Sequence, residues 1–373
     1  MRAGGTGPAF PSPPEEQDVE FMTDIPSQSV AGTVSSIKEA ERITIVTHTH
    51  PDGDAMGSSA GLYHYLRALG KEVCIAINDR HPGSLSFLTS GMEEDVAVYG
   101  EQPEATVGRI MDSGLVFCLD MNSFDRAESL GKVLKGAGCR KILIDHHLNP
   151  SKEEFDIIFS ETGISSTSEL LYYILLSLPW TEGKAENLPA RTAEALMAGM
   201  TTDTNNFANS VYPSTFRMAS ELLAAGTDRD GIISRLYHNY RENRFRLQGE
   251  LLKDNLRITS DGVAYMIIDK ALAGRYDIQD GETEGFVNLP LGIGKVRMSL
   301  LLKEEDDRFR VSIRSRKGVS ANMCASMYFN GGGHELAAGG RLVKGQDIPA
   351  EAGAAEIARY VESRTAEFFR QKK

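Results

Sequence analysis

The stretch Ile43-Thr44-Ile45-Val46-Thr47-His48-Thr49-His50-Pro51-Asp52-Gly53-Asp54-Ala55-Met56-Gly57-Ser58-Ser59 decides the fold. Its β-branched start reads as a short buried strand, and Pro51 with Gly53 forbids the strand from continuing. A helix is expected directly afterwards, capped by Asp54, because Ala55, Leu62, Tyr65, Leu66 and Leu69 recur at helical spacing. His48, Asp52 and Asp54 then stand where the carboxyl end of a strand meets the positive end of a helix. Open α/β sheets bind their ligands there. Taken by itself, the loop is as readily an Asx turn that joins strand to helix.

Working outward, residues 71–77 read as a second strand, residues 115–119 as a third that ends at Asp120, and residues 141–144 as a fourth that ends at Asp145-His146-His147. Helical patterns lie between them, which predicts βαβ units and a parallel sheet. Several strands therefore deliver Asp or His at their carboxyl ends. A helix with a Ser/Thr-rich start is expected over 165–178 and another over 190–200, leading into Thr201-Thr202-Asp203. Asp203 follows a glycine-containing turn and, standing alone, is more readily a cap than a ligand.

Residues 213–256 are mostly helical, and the arginines among them (Arg217, Arg229, Arg235, Arg241, Arg244, Arg246) suit an exposed face paired with Glu242, Glu250 and Asp254. Beyond them come alternating strands at 264–268, 296–302 and 308–314, a short helix at 321–329, and Gly331-Gly332-Gly333-His334. The expected architecture is α/β: a parallel-sheet catalytic domain over 27–228, a helical connector over 229–256, and a smaller mixed α/β substrate domain over 257–373. Residues 1–26 read as a flexible tail in which Met22 is an alternative start.

The 373 residues carry a formal net charge of −12, which argues against binding long duplex nucleic acid through a broad cationic face. Cys74, Cys118, Cys139 and Cys324 lack paired CxxC spacing and read as buried thiols of a reducing compartment. No run is long and apolar enough for a membrane span, and no leader is evident, so the expected location is the cytoplasm.

Collected, His48, Asp52, Asp54, Asp120, His146 and Asp203 form a hard nitrogen and oxygen donor set, suited to manganese, magnesium or iron rather than to structural zinc. Six donors exceed the needs of one catalytic ion, and two ions sharing a carboxylate would use them all. A two-ion site activates water and stabilises both the attacking and the leaving oxygens at phosphorus, so the expected reaction is phosphoester hydrolysis. No serine nucleophile elbow, Walker lysine motif or dinucleotide glycine fingerprint competes with this reading.

These residues carry a resemblance. Thr47-His48 through Ser58, Leu119-Asp120, Asp145-His146-His147 and Gly199 through Thr204 resemble the four metal-binding motifs of the DHH phosphoesterase family. Arg314-Ser315-Arg316 and Gly331-Gly332-Gly333-His334 resemble its DHH-associated substrate domain. The chain looks most like the two-domain branch that degrades very short RNA oligonucleotides (nanoRNA) and dephosphorylates 3′-phosphoadenosine 5′-phosphate (pAp). The resemblance implies one Mn²⁺ on His48, Asp52 and Asp120, and a second on Asp54, Asp120, His146 and Asp203, with Mg²⁺ or another divalent ion as a substitute. It implies that Asp120 bridges the ions, that His147 faces the scissile phosphate, and that Asp145 orients the histidines. It also implies a homodimer.

Arg314 and Arg316 alternate with Ser315, so an extended segment would send both guanidiniums to one side, where they could grip a phosphate. Gly331, Gly332, Gly333 and His334 would hold the same nucleotide from another side. His50 reads as a solvated residue lining the loop, and His64 and His81 as structural. Expected substrates are short oligoribonucleotides, linear dinucleotides such as pApA, and pAp. The alternatives are a phosphatase of pyrophosphate or polyphosphate, a cyclic dinucleotide phosphodiesterase, and a catalytically silent nucleotide sensor.

Overall fold

The computed structural model describes residues 25–279 and 281–371. Helix α1 (Ser27–Glu39) leads into strand β1 (Arg42–Thr47), helix α2 (Gly53–Ala68) and strand β2 (Glu72–Ile77). There follow β3 (Val96–Val98), α3 (Pro103–Met111), β4 (Leu115–Leu119), α4 (Ser129–Gly136), β5 (Arg140–Asp145) and β6 (Ile157–Ser160). These six strands form one sheet in the order β3-β2-β1-β4-β5-β6, with every pairing parallel. The winding reverses between β1 and β4. Thr47 lies opposite Leu119, and Leu119 opposite Ile144, so His48, Asp120 and Asp145 leave three neighbouring strands at one edge of the sheet. The strands are buried on both faces, which is why they read as continuous apolar runs.

Helices α5 (Thr167–Ser177), α6 (Ala190–Asp203), α7 (Pro213–Ala224) and α8 (Arg229–Tyr237) complete this half. The sequence reading ends α6 too early. Gly199 lies inside the helix rather than in a turn, and Asp203 is its last residue. Glycine is used there for closeness: a Cβ on Gly57 of α2 would lie 2.6 Å from the Cα of Gly199. Gly53, Gly57 and Gly61 recur every fourth residue along α2, and a Cβ on any of them would meet atoms of α6. The two helices therefore approach backbone to backbone, which brings Asp54 at the start of one near Asp203 at the end of the other.

The second half begins with α9 (Glu242–Glu250), which continues through a π-turn at Leu251–Asn255. It then runs β7 (Arg257–Ile258), β8 (Val263–Ile268), α10 (Lys270–Arg275), β9 (Met298–Glu304), β10 (Arg308–Ser315), α11 (Ala321–Tyr328), β11 (Gly332–Gly333), β12 (Ala337–Val343) and α12 (Ala354–Gln371). The sheet order is β11-β12-β10-β9-β8-β7, antiparallel except for β8 with β9. Strand β10 alternates as a half-buried strand should: Phe309, Val311 and Ile313 enter the core, while Arg310, Ser312 and Arg314 share the other face. Helix α12, absent from the sequence reading, buries Ile357, Val361, Phe368 and Phe369 against this core.

The segment expected to be a connector is divided between the two cores. Ile232 and Leu236 of α8 pack with the first, whereas Leu247 and Leu251 join Met266 and Ile268. Its arginines are not one exposed face either. Arg246 pairs with Glu242, but Glu250 takes Arg275. Arg244 is buried between the rings of Tyr240 and Phe286 and donates to the carbonyls of Glu282 and Glu284. Cys74, Cys118 and Cys324 are buried and Cys139 is half-buried. Apart from Ile25 and Pro26, the expected tail and Met22 lie outside the described residues. No described helix is long and apolar enough to cross a membrane.

Candidate metal centre and the cleft above it

His48, Asp120 and His146 meet at the point where the sheet's winding reverses. The Nε2 atom of His48 lies 3.4 Å from Asp120 Oδ2 and 3.9 Å from Asp52 Oδ1. His146 Nε2 lies 3.6 Å from Asp120 Oδ1, 3.5 Å from Asp203 Oδ2 and 4.0 Å from Asp54 Oδ2. Asp120 Oδ2 thus faces His48, while its Oδ1 faces His146 and, also at 3.6 Å, Nδ1 of His147. Two overlapping groups, His48 with Asp52 and Asp120, and Asp54 with Asp120 and His146, each bring their donor atoms within 4.8 Å of one another. Asp120 itself adopts φ +57, a left-handed conformation that aspartate tolerates better than most residues and that the end of β4 imposes on it.

Local structure aims each group. Helix α2 starts at Gly53, so Asp52, not Asp54, is its cap: Asp52 Oδ1 accepts from the N–H groups of Asp54 and Ala55, both at 3.1 Å. Asp54 is thereby released to point inward. Its Oδ2 accepts from the Thr167 N–H at 2.7 Å and its Oδ1 from the Ser168 N–H at 2.9 Å. These are two of the donors that the first turn of α5 leaves without helical partners. His48 Nδ1 lies 2.8 Å from the Thr49 carbonyl and donates to it, which leaves Nε2 for Asp120. His147 is held by Asp145 at Nδ1, 2.7 Å, and through its own N–H, 3.1 Å, so its Nε2 is the nitrogen left to face a substrate.

His50 is exposed and lies 3.7 Å from Asp79, whose Oδ2 also accepts from the Thr49 hydroxyl and the His50 N–H. His64 is half-buried against Tyr63, and His81 contacts the Thr89 hydroxyl at 3.1 Å.

The protein's own charges leave this cluster short of positive charge. Burial, then the charges of Asp120 and Asp203, raise Asp54 well above the carboxylate range. Asp203 is pushed up to about 6 by burial and by Asp52 and Asp120, against the pull of His146. Asp120 moves the other way: burial opposes its ionisation, but His48, His147 and His146 outweigh burial and hold it ionised. Burial would lower His146, yet Asp203, Asp120 and Asp54 raise it to about 9. Carboxylates that must share protons with imidazoles suit divalent cations, and the oxygen-rich donor set fits hard ions. The residues present therefore fit the implied metals.

The second sheet closes over this centre. The His334 ring lies 4.7 Å from that of His146 and 4.5 Å from that of His147, stacked on the latter at 24°. Burial and the neighbouring His147 and His146 lower His334 to about 3, so it is neutral in the free protein. The glycines before it have a steric cause: a Cβ on Gly331 would lie 1.9 Å from the Gly339 carbonyl, and Gly333 adopts φ +145. The N–H groups of Gly331 and Gly333 donate to Ala325 and Asn322, leaving His334 as the group that this turn presents.

Arg314 is half-buried, and the charges of Asp203, Asp52 and Glu284 reach it. Arg316 does not share its direction. It lies beyond the end of β10, and its guanidinium donates to the Leu291 and Ile293 carbonyls, while Ser315 turns inward to Val319.

Four further residues of the site escape the sequence reading. Thr167 and Ser168 sit in a Ser-x-x-Glu helix start at Ser166, a local signal that says nothing of what the helix faces. Arg126 has no ion-pair partner among the described residues, and its charge reaches His48 and His334. Glu284 lies across from Asp52, and burial together with that charge raises it to about 7.

Known proteins resemble this chain over both halves. Residues 42–200 match the DHH family, N-terminal domain, and residues 261–360 the DHHA1 domain. The chain is 31% identical to the bifunctional oligoribonuclease and PAP phosphatase NrnA of Bacillus subtilis over 80% of its own length and 89% of the relative's. It is 32% identical to the protein of that name from Thermus thermophilus over 82% of its own length and 85% of the relative's. The crystal structure of an exopolyphosphatase-related protein from Bacteroides fragilis superimposes with a TM-score of 0.83 at 32% identity, covering 93% of this chain and 98% of that one. A parallel sheet with candidate ligands at the winding reversal, a second sheet bearing His334 above them, and these matches over both halves lead to one conclusion: the chain belongs to the DHH family of phosphoesterases and carries a DHHA1 domain as its second half.

Proposed function

We propose that this chain is a two-metal hydrolase that cleaves very short oligoribonucleotides, down to linear dinucleotides such as pApA, and removes a phosphate from pAp. One observation carries the reading: Asp120 turns one oxygen to each of two imidazole-carboxylate groups, and His334 of the other domain lies directly over them. His48, Asp52 and Asp120 would hold one ion, and Asp54, Asp120, His146 and Asp203 the other, with manganese the proposed metal. When bound, such ions supply Lewis-acid activation of water and neutralise charge that develops on phosphate.

The chain's own residues do the rest. Asp145 fixes His147 so that its free ring nitrogen meets the scissile phosphate. Arg314 grips a phosphate from the second sheet, and His334 completes the contact between the two halves. The grip and the carboxylates lie on facing domains, so a substrate of one or two nucleotides reaches both. A longer strand adds phosphates mainly against a chain of net charge −12. The names of the Bacillus and Thermus relatives support these substrates. The name of the Bacteroides protein favours a second reading, a polyphosphate substrate.

A manganese-supplemented assay over pAp, pApA, longer oligoribonucleotides, a cyclic dinucleotide, pyrophosphate and tripolyphosphate, with products resolved by length, separates the two. The expected outcome is turnover of pAp and dinucleotides, lost to background in Asp120→Ala. Faster hydrolysis of tripolyphosphate than of any nucleotide, or full activity in Asp120→Ala, would overturn the proposal.

A further inference from the structure

The first turn of α5 touches the metal centre at two carboxylates, and one residue reaches both. The Thr167 N–H donates to Asp54 Oδ2 at 2.7 Å, and the Thr167 hydroxyl donates to Asp120 Oδ1 at 3.0 Å. Those two oxygens are the ones that face His146, at 4.0 and 3.6 Å. The other oxygen of Asp120, Oδ2, faces His48 and takes nothing from Thr167. Thr167 is fully buried, so no water can replace its hydroxyl, and Ser166 fixes the turn by accepting from the Glu169 N–H. The turn is fixed again from below, where Glu169 Oε2 accepts from the Ser165 N–H at 3.1 Å and the Thr215 hydroxyl at 2.8 Å.

We propose that Thr167 is the positioning residue for the second metal group, that of Asp54, Asp120 and His146, and bears on the first group, that of His48, Asp52 and Asp120, only through the shared Asp120. The inference rests on the two-metal reading above. A carboxylate in a crowded cluster can rotate about its last bond, and a buried hydrogen bond to one named oxygen removes that freedom. Thr167 anchors one oxygen of each of two carboxylates from a single rigid helix end. It thereby sets the spacing between the bridging ligand and the ligand that only the second ion uses. Hydrogen-bonding partners of metal ligands commonly govern about 10–100-fold of metal affinity.

Calorimetric titration of the full-length, metal-free protein with Mn²⁺, without substrate, tests this. Wild type is expected to bind two ions. Thr167→Val, which keeps the shape and deletes the hydroxyl, is expected to weaken the second ion about 10–100-fold and the first, which shares only Asp120, by clearly less, and Thr167→Ser to restore both. Thr167→Pro, tolerated at a first helical position but lacking both donors, is expected to weaken the second ion further.

Wild type binding a single ion would sink the two-metal reading itself. Two unchanged affinities in Thr167→Val would overturn the inference alone. Equal weakening of both ions, together with an equally lowered melting temperature of the metal-free protein, would assign Thr167 to the fold and overturn it as well. Should the valine variant fail to fold, Thr167→Ala is read the same way, and failure of both counts against the proposal.

Discussion

Replacing Gly57 by alanine tests how tightly the fold sets the metal centre. The added Cβ would stand 2.6 Å from Gly199 Cα and 2.7 Å from both Gly199 N and the Ala195 carbonyl oxygen. All three are backbone atoms, so no side chain can rotate away. Ordinary contacts between carbons need about 3.5–4.0 Å, and α2 and α6 must therefore part by about 1 Å. Overpacking of this kind costs about 1–3 kcal/mol, offset by about 0.5–1 kcal/mol because alanine favours helix over glycine. The net expectation is a loss of at most about 2.5 kcal/mol, centred near about 1 kcal/mol.

The site should suffer more than the fold. Helix α2 carries Asp54 and α6 carries Asp203, so a separation of that size moves two proposed ligands of one ion apart. Urea unfolding in the presence of a chelator reads the stability, and calorimetric Mn²⁺ titration reads the site. Gly108→Ala is the control: it lies within α3 with nothing inside 4 Å of an added Cβ, and should gain about 0.5–1 kcal/mol. Unfolding of Gly57→Ala at the wild-type midpoint with undiminished Mn²⁺ binding would refute the argument from close approach.

Two other outcomes are expected. Arg314→Ala should raise KM for pAp or a dinucleotide about 10–100-fold, as loss of a hydrogen bond to a charged group worth about 1.5–3 kcal/mol implies, and should leave hydrolysis of a simple aryl phosphate nearly unchanged; equal losses on both would remove it as a phosphate grip. Glu284 has its folded-state pKa raised from 4.5 to about 7, so the metal-free protein loses stability as pH rises through that interval. Glu284→Gln should then melt progressively higher than wild type between pH 4.5 and 7, and by a constant margin above it; a difference independent of pH would contradict this.

Three of the proposed ligands, His48, Asp120 and His146, were legible because each follows a strand end, where a change from apolar to polar residues is a local event. His48, Asp120 and His146 needed only that pattern and the expectation of a parallel sheet. Asp203 does come to lie against His146 despite a wrong local structure, since a glycine inside a helix reads as a turn until α2 is seen against it. The exchange of capping roles between Asp52 and Asp54 was not legible, because both residues suit a cap and only the first turn of α5 decides which is drawn inward. Arg314 and Arg316 looked equivalent, as alternation along an extended chain makes them so, but the strand stops between them. Thr167 was out of reach for a different reason. Its partners lie 47 positions away at Asp120 and 113 at Asp54, and no local pattern records such distances.

That the proposed ligands come from strand ends and helices far apart in the chain also bears on how the protein is made. At about 5–20 residues per second, Asp203 leaves the ribosome roughly 8–30 s after His48. Through that interval the growing chain holds up to three of the four carboxylates and two imidazoles, but no complete pair of sites. An ion captured early by the first group would be bound by a partly folded chain, while the second group closes only when α6 docks on α2. If two ions bind as proposed, their loading would be staggered during synthesis, and the free metal concentration would act on a nascent chain as well as on a finished enzyme.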